Sequence, residues 1–308
     1  MARSLRDIRR KMKAIRSTRQ VTKAMELVAA SKMRRATQNA QMLRRYALTA
    51  WNILENMAEV HPGLHPYLTQ RPAQKILAIL FTSDRGLCGS LNTQMFRMMG
   101  NYLREVKTIP GFEKLTFIAV GKKGQQFLAR SEQDIVAAFP ALSNHPTFKE
   151  ALPIMRIATD GFINGTYDSV VLLYPDLVSA LVQEPTAKVL LPFTKSELKT
   201  MLGSLVPKKH ARADDLQLKE QDIAEYIFEP SQTEVLKVIL PQLTEMQIFQ
   251  AVLEAAASEH SARMVAMRNA SDNASDILDD LTLTYNQTRQ AGITAELAEL
   301  SASKAALD

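Results

Sequence analysis

Both ends of the chain carry a hydrophobic repeat with helical spacing. Apolar residues recur every three or four positions, which keeps them on one side of a helix facing a partner. The repeat is predicted to shift register around Val21. The first series is Leu5, Ile8, Met12, Ile15 and, after the shift, Met33, Ala36, Ala40, Leu43, Ala47, Ala50, Leu54 and Met57. The second series is Met246, Phe249, Leu253, Ala256, His260, Arg263, Met267, Ala270, Ala274, Ile277 and Leu281.

Proline and glycine divide the chain into three parts. All 13 prolines lie from Pro62 to Pro241, and ten of the 11 glycines lie from Gly63 to Gly203. Because both residues interrupt helices, the ends are predicted to be uninterrupted helical arms. The predicted domains are an N-terminal coiled-coil helix at 1–61, a central α/β domain and foot at 62–240, and a C-terminal coiled-coil helix at 241–308. The two arms are predicted to pair antiparallel.

The centre alternates between predicted strands and helices. Continuous apolar runs are typical of strands covered on both faces, and their alternation with helices indicates a mainly parallel, open sheet. Gly121–Gly124 is interpreted as a basic turn. The predicted strands are 76–81, 115–120, 135–139 and 170–174, with helices at 90–107 and within 147–163 and a hairpin at 177–191.

Composition and charge narrow the function classes. With 46% hydrophobic and 23% charged residues the chain can bury a core. The single cysteine, Cys88, excludes an intramolecular disulfide scaffold. Charge is polarised: residues 1–50 hold 14 Lys/Arg and two acids, whereas 241–308 hold four Lys/Arg and ten acids. No apolar run reaches the roughly 18 residues of a membrane span.

Candidate chemistry is sparse. The loop Ser83–Ser90 follows a strand and precedes a helix, where phosphates often bind, but it lacks the Lys-Ser/Thr pair of a P-loop and the dinucleotide glycine fingerprint. It is interpreted as a structural turn. The five histidines are scattered, so no catalytic, cofactor or metal site is expected. The basic first arm suits either nucleic acid or an acidic protein surface, and the residues alone leave both possibilities open.

Four motifs in order along the chain resemble the ATP synthase gamma subunit family. They are Ile8-Arg9 with Lys23-Ala24-Met25-Glu26-Leu27-Val28-Ala29-Ala30-Ser31-Lys32-Met33, Ser83-Asp84-Arg85-Gly86-Leu87-Cys88-Gly89, Ser258–Met267 with Asp272-Asn273-Ala274, and Tyr285-Asn286 with Arg289-Gln290 and Ile293-Thr294. Two features depart from the family pattern: Gly292 lies within the last helix, and residues 205–225 are polar and hard to align.

This resemblance implies a fold and a role. The fold would be α/β: a long antiparallel coiled coil of the terminal helices plus a Rossmann-like central domain. The role would be that of a non-catalytic central-stalk rotor in a proton-translocating ATP synthase. Its partners would be the alpha, beta and epsilon subunits and the membrane c-ring, with no nucleic acid and no small-molecule substrate. The alternatives are a coiled-coil nucleic-acid-binding protein and, third, an α/β nucleotide enzyme.

The resemblance also implies a location and contact residues. A bacterial protein, peripheral on the cytoplasmic side of the inner membrane, is expected. The motif begins within a few residues of Met1, which argues against reading the Arg-rich start as a transit peptide. The expected membrane-ring contacts are Tyr226, Phe228 and Glu229. The expected beta-subunit contacts are Arg9, Arg10, Lys23, Met25, Lys32, Arg34, Arg35, Arg263, Gln290 and Thr294.

Overall fold

The computed structural model of the chain describes residues 5–55, 65–143, 146–193 and 231–305. Two long helices lie at its ends, α1 (Leu5–Glu55) and, as the last element, α5 (Gln232–Ala305). The chain divides into two compact units. The paired-end unit comprises Met1–Ala29 and Arg263–Asp308, and the sheet unit comprises Ala30–Ala262.

The sheet unit contains a five-stranded sheet with helices between its strands. A short 3₁₀ helix (Pro66–Leu68) leads into it. Strand order is β3-β2-β1-β4-β5. The strands are β1 (Lys75–Phe81), β2 (Lys114–Val120), β3 (Ile135–Phe139), β4 (Ser169–Leu177) and β5 (Gln183–Leu191), and the helices are α2 (Leu91–Val106), α3 (Lys122–Arg130) and α4 (Phe148–Ile163).

The sheet is mainly parallel, which confirms the predicted fold class. β1 pairs in parallel with β2 and β4, and β2 pairs in parallel with β3. The exception is β5, which runs antiparallel to β4. We call β4, β5 and the turn between them the ribbon.

Alternate residues of β1 enter two cores on opposite faces of the sheet. Leu77, Ile79 and Phe81 pack with α4 and the first part of α5, whereas Ile76 and Leu80 pack with α2 and α3. Covering both faces explains why β1 reads as a continuous apolar run. The core therefore fixes the carboxyl end of β1, where the candidate loop begins.

Two elements differ from the sequence expectation. The segment interpreted as a basic turn, Gly121–Gly124, opens helix α3. α5 begins at Gln232 and includes Pro241, so the helix starts before residue 241. Proline inside a helix costs about 3 kcal/mol. Burial of Leu236 and Leu240 in the core offsets that cost.

Within the four described ranges, no helix is long and apolar enough to cross a membrane.

Candidate partner-binding surface

The buried residues of α1 that face a partner helix, here called its seam, follow an unbroken seven-residue repeat. Ile8, Thr22, Ala29 and Ala36 are buried, and each lies a multiple of seven residues from the others. Val21 is 55% exposed, whereas its neighbour Thr22 is 9% exposed. The expected register shift around Val21 is therefore wrong, because a small polar residue occupies a seam position where the sequence pattern showed a gap.

The seam of α5 does change phase. In the paired-end unit the buried residues of α5 are Arg263, Met267, Ser271, Ala274 and Leu278, while the expected seam residue Ile277 is 46% exposed. Arg263, Met267 and Ser271 are separated by two successive steps of four residues. This irregularity in the seven-residue repeat is the insertion known as a stutter. A stutter locally unwinds a coiled coil. The strict three-four alternation expected here is wrong at this point.

Arg9 and Tyr285 join α1 to α5 in the paired-end unit. The Arg9 Nη2 donates a hydrogen bond to the Tyr285 hydroxyl at 2.6 Å. The Arg9 guanidinium carbon lies 5.5 Å from the centre of the tyrosine ring, within cation–π range. In the sheet unit, Ala36 of α1 packs with Ala256 and Ala257 of α5. A higher residue number on α1 thus meets a lower one on α5, as antiparallel helices require.

The predicted beta-contact residues differ in how far they reach solvent. Met25 and Lys32 are half-buried, and Arg263 is only 9% exposed. Arg10 pairs with Asp7 at 3.3 Å, and Lys23 pairs with Glu26 at 2.9 Å, each one turn away on α1. The exposed members are Arg9, Arg10, Lys23, Arg34, Arg35, Gln290 and Thr294. The predicted ring contacts Tyr226, Phe228 and Glu229 lie outside the described residues.

The loop after β1 is a closed hydrogen-bond network. Asn92 Oδ1 accepts from the Ser83 amide at 3.1 Å, and Asn92 Nδ2 donates to Ser83 Oγ at 2.7 Å. Ser83 Oγ donates to the Arg85 carbonyl at 2.7 Å. Cys88 is buried beside this network, 3.6 Å from Ser83 Oγ. The serine and asparagine groups are therefore engaged within the loop.

Asp84 ties this loop to two neighbouring elements. Its Oδ1 accepts hydrogen bonds from the amides of Lys122 at 3.0 Å and Ala141 at 2.9 Å, and its Oδ2 accepts from Ser143 Oγ at 3.1 Å. A carboxylate at the first turn of α3 suits the positive end of the helix dipole. It also disfavours a phosphate at the same place, because like charges repel.

Gly121 allows the close approach of β2 and the loop. Its φ is +95°, and a Cβ there would lie 2.1 Å from the Thr82 carbonyl oxygen. Thr82 Oγ1 accepts a hydrogen bond from the Gly124 amide at 2.8 Å. The two glycines therefore let α3 begin directly against Thr82.

Two buried serines attach the ribbon to α5 in the sheet unit. Ser258 Oγ donates to the Pro175 carbonyl at 2.9 Å, and Ser261 Oγ donates to the Ala180 carbonyl at 2.6 Å. Leu177 packs against the alanines Ala256 and Ala257. In the sequence, these serines stand out only as members of the motif Ser258–Met267. Their position on the apolar face of a helix could have indicated their role, because a buried hydroxyl needs a hydrogen-bond partner.

A group of charged residues lies between the ribbon and α5: Glu254 is buried, and Lys188 and Asp176 are half-buried. Burial lowers the pKa of Lys188 on β5, while the carboxylates of Glu254 and Asp176 oppose that shift. Gln250 Nε2 donates to Glu254 Oε1 at 2.8 Å. Since a buried charge is costly unless it is paired, the electrostatic attraction of Lys188 on β5 to Glu254 on α5 favours the attachment of the ribbon.

The sequence has clear relatives over its full length. The profile of the family described as ATP synthase matches residues 4–307. The ATP synthase gamma chain of Roseiflexus sp. (strain RS-1) is 40% identical over 307 residues, covering 99% of this chain and 98% of the relative. The ATP synthase gamma chain of Opitutus terrae is 40% identical over 302 residues, covering 98% of each.

Solved structures show the same fold. A chain from the rotor of the Euglena gracilis mitochondrial ATP synthase, rotational state 1, aligns with a TM-score of 0.57 at 20% identity, covering 94% of this chain and 99% of that chain. A chain from the OSCP/F1/c-ring structure of the same enzyme, rotational state 3, aligns with a TM-score of 0.62 at 22% identity. The alignment covers 99% of this chain and 94% of that chain. The combination of long terminal helices and α/β domain is thus shared.

Proposed function

Since this chain belongs to the ATP synthase gamma chain family, we propose that it turns as the central-stalk rotor of an F-type ATP synthase. Its rotation would link ion flow through a membrane ring to ATP synthesis or hydrolysis in a hexamer of alpha and beta subunits. The family resemblance read from the motifs is confirmed by the match over residues 4–307 and by relatives 40% identical over nearly their full length.

The observation that carries this proposal is the placement of cations on the outside of paired helices. The seam of α1 is apolar or small, and the exposed positions hold Arg9, Arg10, Lys23, Arg34 and Arg35. A helix pair with this exterior can turn against an acidic surface without separating, because the seam residues, and not mainly the cations, hold the helices together.

Torque requires contacts that differ between the partner's states. A rotor shifts its partners only if it binds their conformations with different free energies. Each exposed ion pair stabilises a contact by roughly 0–1 kcal/mol, so several together reach a few kcal/mol while each remains easy to break. The cations of α1 thus suit a contact that forms and releases as the rotor turns.

The chain itself would be non-catalytic. In a Rossmann-like sheet, ligands bind beyond the carboxyl ends of the strands. At the carboxyl end of β1, the Asp84 carboxylate binds the first turn of α3 and the Ser83 hydroxyl binds within its own loop. These groups hold the fold together, which favours a structural role for this loop.

The proposed partners follow from the family. They are the alpha and beta subunits around α1 and α5, the epsilon subunit and the membrane ring at the sheet unit. Such a chain would be peripheral on the cytoplasmic side of a bacterial membrane. The proposed beta-subunit contacts remain the residues of α1 and α5 given above, with Tyr226, Phe228 and Glu229 for the ring.

Reconstitution tests the proposal. The chain is co-expressed with alpha and beta subunits, purified by a tag on the chain, and assayed for ATP hydrolysis. We expect the alpha and beta subunits to co-purify and the complex to hydrolyse ATP. Purification of the chain with nucleic acid in place of these subunits would overturn the proposal and favour the alternative of a nucleic-acid-binding coiled coil.

A further inference from the structure

A cleft of about 210 Å³ lies in the sheet unit between α1, α5 and the segment that enters α4. Lys32, Arg35 and Asn39 line it from α1, Ser143 and Thr147 from the segment before α4, and His260 from α5. Its floor contains the buried alanines Ala36 and Ala256. Among the lining residues of the described chain there are two cations, Lys32 and Arg35, and no Asp or Glu.

The donors on α1 are available to a ligand. Within the part of the chain that the structure describes, the side chains of Lys32, Arg35 and Asn39 make no hydrogen bond or ion pair. They lie on one face of the helix, at spacings of three and four residues. The lysine ammonium, the planar guanidinium and the side-chain amide together present several N–H donors to one space.

The opposite wall is polar but its hydroxyl protons are engaged. Thr147 Oγ1 donates to Glu150 Oε2 at 2.9 Å and accepts from the Glu150 amide at 3.3 Å, which caps α4. Ser143 Oγ donates to Asp84 Oδ2 at 3.1 Å. The start of α4 adds the positive end of a helix dipole. Binding of a ligand would therefore depend mainly on Lys32, Arg35 and Asn39.

We propose that this cleft binds a small multivalent oxyanion of the inorganic phosphate type. Arginine matches two oxygens of such an anion with its planar fork, and lysine adds a compact positive charge. A volume of about 210 Å³ is below the roughly 300–1,000 Å³ of sites for larger organic ligands. The size thus favours a free oxyanion over a whole nucleotide.

Occupancy would change the partner-binding surface. Lys32 and Arg35 also belong to the beta-contact set, so this consequence rests on the proposed function. An anion in the cleft neutralises both cations and removes them from contact with an acidic partner. Phosphate would thereby weaken the contact between rotor and hexamer at this point of α1.

Calorimetric titration of the full chain with inorganic phosphate at constant ionic strength tests the site. We expect saturable binding of one phosphate per chain. Arg35→Gln and Lys32→Gln should each weaken binding about tenfold or more, because each substitution removes a charge-assisted hydrogen bond to the anion. Arg34→Gln is the matched control, because Arg34 is an exposed neighbour that does not line the cleft, and it should keep the wild-type affinity.

Three results would overturn the proposal. They are the absence of saturable binding, an equal loss in Arg34→Gln, and ATP binding that is much tighter than phosphate binding. Far-UV circular dichroism of each variant checks folding, and Lys32→Arg should retain binding where Lys32→Gln loses it. Because the titration uses the isolated chain, its failure leaves the proposed rotor function untouched, and a failed reconstitution with alpha and beta subunits leaves the phosphate site untouched.

Discussion

Arg9 on α1 donates a hydrogen bond to the hydroxyl of Tyr285 on α5, with 2.6 Å between the two atoms. The guanidinium carbon also lies 5.5 Å from the centre of the tyrosine ring. Arg9 therefore contributes to helix pairing as well as to the charge of the surface. This contact distinguishes it from Arg10, which pairs with Asp7 on its own helix.

This contact predicts an energetic coupling between the two helices. In a double-mutant cycle of Arg9→Ala and Tyr285→Phe, the free energies of unfolding should be non-additive by roughly 0.5–1.5 kcal/mol. Denaturant unfolding followed by circular dichroism measures each variant. Arg10→Ala combined with Tyr285→Phe is the control and should be additive. Additivity in the Arg9 pair would mean that the contact contributes nothing in solution.

Met25→Lys should uncouple ATP hydrolysis from proton pumping while leaving assembly normal. Met25 is half-buried on α1, one residue before Glu26, which already pairs with Lys23. A new cation there can form an extra ion pair with an acidic partner, which favours one rotor angle and raises the barrier to leaving it. ATPase rate and proton pumping in membrane vesicles measure the two activities.

The controls for Met25→Lys are single losses of exposed cations. Arg9→Ala and Arg34→Ala should each pump protons at close to the wild-type rate, because one exposed ion pair contributes only about 0–1 kcal/mol. Loss of pumping in these variants, with normal pumping in Met25→Lys, would show that single cations are indispensable and that an added cation at position 25 is harmless, contrary to this prediction.

Gly121→Ala should severely destabilise the sheet unit. The new Cβ would lie 2.1 Å from the Thr82 carbonyl oxygen at a φ of +95°, so backbone must move. We expect a loss of more than about 4 kcal/mol in the free energy of unfolding. Gly86→Ala is the matched control, since a Cβ there meets no atom within 4 Å. A small effect of Gly121→Ala in thermal unfolding would contradict the geometry of this turn.

Ser258→Ala should loosen the ribbon from α5. It leaves the Pro175 carbonyl without the donor seen at 2.9 Å, which costs about 1–3 kcal/mol for a buried group. Hydrogen exchange should become faster in the ribbon turn, where Val182 donates to the Ser179 carbonyl at 3.2 Å. Ser303→Ala, at an exposed position of α5, should change neither the free energy of unfolding nor the rate of hydrogen exchange in the ribbon turn. Unchanged exchange in Ser258→Ala would show that the Ser258 hydrogen bond does not hold the ribbon in place.

The sequence predicted the parts of the fold that depend on local pattern. Apolar runs located β1, β2 and β4, because strands covered on both faces contain little else. A weaker apolar run located β3, a partly buried strand at the edge of the sheet. The absence of proline and glycine located α1. The same pattern failed for α3, because Gly121 and Gly124 look like turn residues. These positions require glycine because they lie in close contact with Thr82, which is distant in sequence.

The seam residues and the residues that hold the loop and the ribbon were likewise only partly predictable from the sequence. Thr22 and Ser271 are seam residues that a hydrophobic pattern does not count, and Ile277 lies outside the seam although it is apolar. The roles of Asp84 and Ser258 depend on partners far along the chain, Ala141 and Pro175. Sequence could identify these residues through family motifs, but their hydrogen bonds require the three-dimensional arrangement.

Direct observation of rotation tests the central claim that this chain is the rotor. An Asn101→Cys variant places a reactive thiol at an exposed position of α2, while Cys88 is buried. A bead on this thiol is followed by microscopy, with the alpha and beta subunits fixed to glass and ATP supplied. We predict stepwise rotation of the bead in one direction, with a rate that rises with ATP concentration. A bead that stays still while the same complexes hydrolyse ATP would contradict the rotor function.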